Sequence, residues 1–146
     1  MFVREKYDRH GHQRHQLVRS VRRQGAVRQQ LVAYLGEATS VDAALHQWPP
    51  QIAILRQQSA ELRSEAERLR AQMPPAWLET GVVPRPRRWG MRRAQQQFGR
   101  YWACWDRAAQ LDRSADRLQR RFDRLRNVVE HGVGTTPDDE ALDRGA

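Results

Sequence analysis

The side chains of this chain that are equipped for chemistry are mostly arginines, and they fall in two runs. The first is Arg4, Lys6, Arg14, Arg19, Arg22, Arg23 and Arg28. The second is Arg85, Arg87, Arg88, Arg92 and Arg93, with Trp89 among them. A guanidinium is a planar fork of donors that matches phosphate oxygens and guanine edges, and an indole offers a face on which a base can stack. The charge is segregated accordingly. Residues 1–35 carry a net +6 and residues 74–100 a net +5, while residues 36–73 carry −1, residues 101–129 +3 and the last seventeen −4. Two cationic patches in a chain of net charge +9 are what a polyanion-binding surface requires. The bland alternative is a solvated arginine-rich surface, and GC-rich coding favours arginine over lysine without any function.

No other chemistry is legible. His10, His12 and His15 follow a His-x-His-x-x-His spacing with only Asp8 nearby. This reads as turn and strand surface, and no metal site is expected. Cys104 is the only cysteine, which excludes an internal disulfide and a cysteine-based zinc cage. Glu61 with Glu65, and Asp112 with Asp116, are carboxylate pairs at helical spacing, on faces where opposite charges are interspersed. Gly-rich phosphate loops, Ser/His/Asp arrangements and metalloprotease helix motifs are lacking. The expectation is a chain with no catalytic residue and no cofactor. The charged amino terminus is no secretory signal, and no apolar run reaches the ~18–20 residues of a spanning helix. The cytoplasm is the expected location, with no membrane partner.

The elements that must position the arginines follow from pattern. Residues 2–8 read as a strand and 9–13 as a turn about Gly11. Residues 14–36 read as a β-hairpin turning at Gln24-Gly25, where Gly25 supplies a positive φ. The result is a three-stranded antiparallel meander over residues 1–36, which needs a helix against it for stability. Residues 37–129 are helical in character. Ser40 is a helix N-cap for a short helix over about 41–47, ended by Trp48-Pro49-Pro50. Residues 51–73 place Ile52, Ser59, Ala66 and Met73 on one seven-residue repeat and Leu55, Leu62 and Leu69 on another, a coiled-coil seam. Ser59 and Ala66 make it thin, leaving space for large partners. A connector spans 74–90. A long helix over 91–129 carries the stripe Ala94, Phe98, Tyr101, Trp105, Ala108, Leu111, Ala115, Leu118, Phe122, Leu125, Val129, with a phase slip after Trp105. Its aromatics at helical spacing read as core. This helix outruns its partner, and its surplus calls for the sheet or a second copy of the chain. Residues 130–146 are acidic and expected to be disordered. The fold class is α+β: a small three-stranded antiparallel sheet, a short helix and a long antiparallel helical hairpin.

Met1-Phe2-Val3-Arg4-Glu5-Lys6, Gln16-Leu17-Val18, Gly25-Ala26-Val27-Arg28-Gln29-Gln30 and Val32-Ala33-Tyr34-Leu35-Gly36 resemble the amino-terminal segment of DDE-type bacterial insertion-sequence transposases. That resemblance covers about residues 1–36. It departs at Arg19, where such proteins often carry an acid, and this chain lacks the ribonuclease-H-like domain that holds their catalytic carboxylates. The resemblance implies a mobile-element ancestry and a DNA-facing segment without transposase activity.

Two functional classes remain. In the first, the chain is a non-enzymatic DNA-binding protein whose sheet and connector contact duplex phosphates and whose helical arm forms a homodimer. In the second, it is a helical-hairpin interaction or structural module with solubilising arginines, or a truncated transposase remnant.

Overall fold

The computed structural model describes residues 1–81 and 89–132, apart from the side chains of Arg23, Trp77, Trp89 and Met91. The element order is β1 (Phe2–Tyr7), β2 (Gln13–Arg23), β3 (Ala26–Gly36), α1 (Val41–Ala71), α2 (Pro75–Thr80) and α3 (Trp89–His131). The strands form one antiparallel sheet in sequence order. This is the expected α+β architecture. The chain divides into two compact units, Met1–Pro50 with the chain from Leu118 onward, and Gln51–Arg117.

In the first unit the sheet's inner half is its core. His15, Gln16, Leu17 and Val18 are buried in succession. A half-buried strand alternates, so four buried neighbours mean that both faces are covered there. β3 meets the same demand with two register shifts. His15 pairs with Gly36 but Gln16 with Tyr34, and Leu17 pairs with Ala33 but Val18 with Leu31. The residues passed over, Leu35 and Val32, are both buried. Such bulges break the two-residue period of the strand. Ala33, Ala38, Ala44, Trp48 and Leu125 are the other buried apolar residues among those described in this unit. The guanidinium of Arg121 lies 5.3 Å from the ring centre of Tyr34, so the far end of α3 supplies cover to the sheet.

The turns are chemically specified. Gln24 and Gly25 both have positive φ, 51° and 80°, which makes the hairpin turn type I′. The β1–β2 turn is built on Asp8. Its Oδ1 accepts from the backbone N–H groups of His10 (2.8 Å) and His12 (3.0 Å), and Gly11 takes a φ of 79°. Ser40 caps α1 as expected, its Oγ accepting from Ala43 N at 3.0 Å.

α1 departs from expectation by running unbroken through Pro49 and Pro50. Each proline removes an N–H and crowds the carbonyl four residues back, here Leu45 and His46. Both prolines are exposed, and the border between the two units falls directly after Pro50. The connector also differs at its start, where Pro75–Thr80 forms α2; its remainder, 82–88, lies outside the described residues. α3 begins two residues earlier than expected, at Trp89, and ends at His131.

The second unit is a helical hairpin. Ile52, Ser59, Ala66, Leu69 and Met73 are buried on the α1 side and Tyr101, Ala108, Leu111 and Ala115 on the α3 side, which is the expected seam and stripe. Ala66, Leu69, Met73 and Tyr101 cluster with Phe98, Cys104 and Trp105 around them. Ser59 is 2% exposed and donates its Oγ to the carbonyl of Ala108 at 3.2 Å. At that level the two helices meet small residue on small residue, so the seam at Ser59 is closed by near approach of the backbones, whereas at Ala66 the ring of Tyr101 joins the cluster.

Candidate nucleic-acid interface

The basic sheet begins as a charge pattern in sequence. After Asp8 the next carboxylate is Glu37, so residues 9–36 contain no acid. Residues paired directly across antiparallel strands share a face. Arg4 stands opposite Gln16, Lys6 opposite Arg14, and Arg22 opposite Val27. Strand alternation therefore puts Arg4, Lys6, Arg14 and Arg22 on one face. Arg28 stands opposite Val21, and Arg19 shares that second face. The first run of arginines thus serves both sides of the sheet.

Their surroundings sort them further. Arg14 donates to Glu37 Oε1 at 2.6 Å and to Asp8 Oδ2 at 3.3 Å. The Glu37 hydrogen bond holds this guanidinium more firmly protonated than usual; burial opposes it, and the charge of Glu37 and the contact with Asp8 add to the rise. The two acids that bracket the acid-free run therefore converge on Arg14, and they offset its like-charge opposition to Lys6. Arg4 donates to the neutral oxygens of Gln16 (2.8 Å) and Gln29 (2.9 Å). Arg19 donates to Gln30 at 2.8 Å. Among the described residues, Lys6, Arg22 and Arg28 meet no carboxylate. Arg22 and Arg28 sit on the outer half of the hairpin, where residues 24–29 are all exposed.

Asp8 is the residue that builds the β1–β2 turn, a role its place beside the histidines did not suggest. Burial raises its pKa, but the amides of His12 and His10, then the ring of His12, outweigh that and hold it below the usual aspartate value. An Asp two residues before His10 and three before Gly11 is a turn signal that could have been read. His10 and His12 are exposed turn residues, and His15 is buried. No group of residues that could hold a metal ion is found among the described residues.

The same apolar strip lies on the arginine-rich face. Phe2, Val18 and Leu31 stand in one row across the three strands. Val18 is buried, but Leu31 is 52% exposed and Val27, beside Arg22, is 67% exposed. This gives a ribbon with apolar contacts between cations, suited to a groove floor flanked by phosphates.

The second run is only partly described. Arg85, Arg87 and Arg88 lie outside the described residues, as do the side chains of Trp89 and Arg23. Arg92 and Arg93 are exposed on the first turns of α3, in the helical unit, whereas the strand arginines belong to the sheet unit. No helix among the described residues is long and apolar enough to cross a membrane. No family model, no curated protein and no solved structure matches this chain.

Proposed function

We propose that this chain is a non-enzymatic DNA-binding protein of mobile-element ancestry, in which the outer half of the β2–β3 hairpin contacts duplex phosphates. One observation carries the reading: an exposed two-stranded ribbon, acid-free, with Arg22 and Arg28 projecting from opposite faces and meeting no carboxylate among the described residues. A two-stranded antiparallel ribbon has the width to enter a major groove. Arginines on both its faces then address the phosphates on both walls, and Val27 offers apolar contact to a thymine methyl. Arg4, Lys6 and Arg19 extend the cationic surface toward the base of the sheet. Arg14 acts as a clamp for the β1–β2 turn, since its charge is met by Asp8 and Glu37. The connector arginines and Trp89 add backbone contacts in this reading.

The test is a salt titration of binding to a random-sequence duplex and to a single strand of equal length. Each phosphate neutralised contributes about 0.9 to the log–log slope on B-DNA. Replacing Arg22 and Arg28 by Ala is expected to reduce the slope by about 2. An unchanged slope removes the hairpin from the interface.

A second reading, a protein-interaction module, is favoured by the helical unit, where Ile54 and Trp102 stand about half exposed. A second copy of the chain is the partner we propose for these exposed side chains. Sedimentation equilibrium decides it: a dimer that Ile54→Glu with Trp102→Glu converts to monomer supports the pairing, and a monomeric wild type rejects it.

A further inference from the structure

We propose that the helical unit carries a phosphate-binding groove of its own, on the middle of α3 opposite Leu55 of α1. The groove has a volume of about 460 Å³. Leu55 and Leu111 line it, Leu111 being buried. Arg107, Arg113 and Arg117 also line it, with Gln110 and Ser114 between them, and it contains no carboxylate. The proposal deepens the reading above and rests on it for the source of the phosphate.

The argument is a contrast within one unit. Four other arginines of the unit find acids: Arg63 pairs with Asp112, Arg68 and Arg100 with Glu65, and Arg70 with Glu67. The groove arginines do not. Arg107 donates to Gln110 Oε1 at 3.3 Å and Arg117 to Ser114 Oγ at 3.1 Å, both neutral acceptors. Among the described residues Arg113 has no polar partner. Nearby acids do not relieve them. Asp112 is engaged by Arg63, and Asp106 and Asp116 do not line the groove. Three guanidiniums therefore border one groove beside apolar carbon, and the hydrogen bonds of Arg107 and Arg117 go to neutral acceptors, an arrangement that an anion stabilises.

Spacing identifies the anion. From Arg107 to Arg113 to Arg117 the helix rises by about 9 and 6 Å. The side chains are spread both along the axis and around it, so the groove suits successive phosphates of a chain better than one compact anion. The side-chain amide of Gln110 can supplement the guanidiniums as a phosphate donor, while the Ser114 hydroxyl is donated to the backbone carbonyl of Gln110 at 2.9 Å and helps to hold Arg117. The ligand class is a linear run of phosphates, drawn from a nucleic-acid backbone or from a free polyphosphate.

The test uses the full chain with Arg107, Arg113 and Arg117 all replaced by Gln. The three side chains are exposed, and an unchanged circular dichroism spectrum and melting temperature verify the fold. Two titrations are run: random-sequence duplex against salt, and inorganic tripolyphosphate by calorimetry. A duplex salt slope lower by about 2 to 3 than that of the wild type assigns the groove to backbone phosphates. Loss of tripolyphosphate heat with an unchanged duplex slope assigns it to a free polyphosphate. Both titrations unchanged overturn the proposal. A wild type that binds no duplex defeats the reading of the hairpin above. The tripolyphosphate arm still decides the groove: heat that the triple variant loses supports it, and no heat from the wild type overturns it.

Discussion

Asp8 performs three tasks with one carboxylate: it accepts the amides of His10 and His12, faces the His12 ring and receives Arg14. Its pKa is lowered on folding, so the ionised form is the one the native turn prefers. The sign follows from linkage: the contribution is fully present above the ordinary aspartate value and is lost as pH falls through the depressed folded value. Acidification below about pH 4 is expected to open the β1–β2 turn first, read as faster amide exchange at His10 and His12. Asp8→Asn should show the fast exchange already at neutral pH and lose the acid step. Ser59 is the corresponding residue of the helical unit. Its side chain is buried against the Ala108 carbonyl, so added volume has nowhere to go. Ser59→Leu, which a pure coiled-coil reading would treat as filling a gap, is expected to destabilise by about 1–3 kcal/mol in urea unfolding.

The hairpin is the element on which the proposed interface depends, and its geometry hangs on two residues. A type I′ turn matches the twist of the flanking strands but needs positive φ at both central positions. Gly25 meets this without steric cost. Gln24, at φ 51°, pays in strain, because a side-chain-bearing residue rarely enters that region unless it is Asn, Asp or His. Gln24→Asn is therefore expected to raise the melting temperature, and Gly25→Ala to lower stability by about 1 kcal/mol. α1 illustrates the reverse relation between local signal and element. Two consecutive prolines predict a stop, yet the helix continues from Val41 to Ala71. Both prolines are exposed, so their rings take no place from the buried Ala44, Trp48 and Ile52 nearby in the helix.

At the scale of the molecule, α3 contributes residues to both units, and its excess length over α1 is accounted for by the sheet unit. Leu125 is fully buried in that unit, far in sequence from its strands. Leu125→Ala is expected to cost about 2–5 kcal/mol, with the loss concentrated in amide protection of Leu17, Val18 and Leu35. Ending the chain at Arg117 should abolish that protection altogether and, with it, the salt-dependent duplex binding proposed for the hairpin. Retained protection in the shortened chain would show that the sheet needs no cover from α3.

Composition and periodicity by themselves determined the α+β class, the three strands, the hairpin turn position, the Ser40 cap and the buried stripes of both long helices. These rest on local rules: a two-residue or 3.6-residue period, a cap, a glycine. The acid-free run from 9 to 36 likewise stands in the sequence, with Asp8 and Glu37 at its ends. Only the tertiary structure decided which arginines are engaged. Arg14 is met by two carboxylates, Arg22 and Arg28 project from opposite faces, and Arg107, Arg113 and Arg117 share a groove. Two bulges in β3 and a helix carried through Pro49-Pro50 were also outside local reach. In each case the deciding term is burial or charge compensation by residues distant in sequence, which no local period encodes.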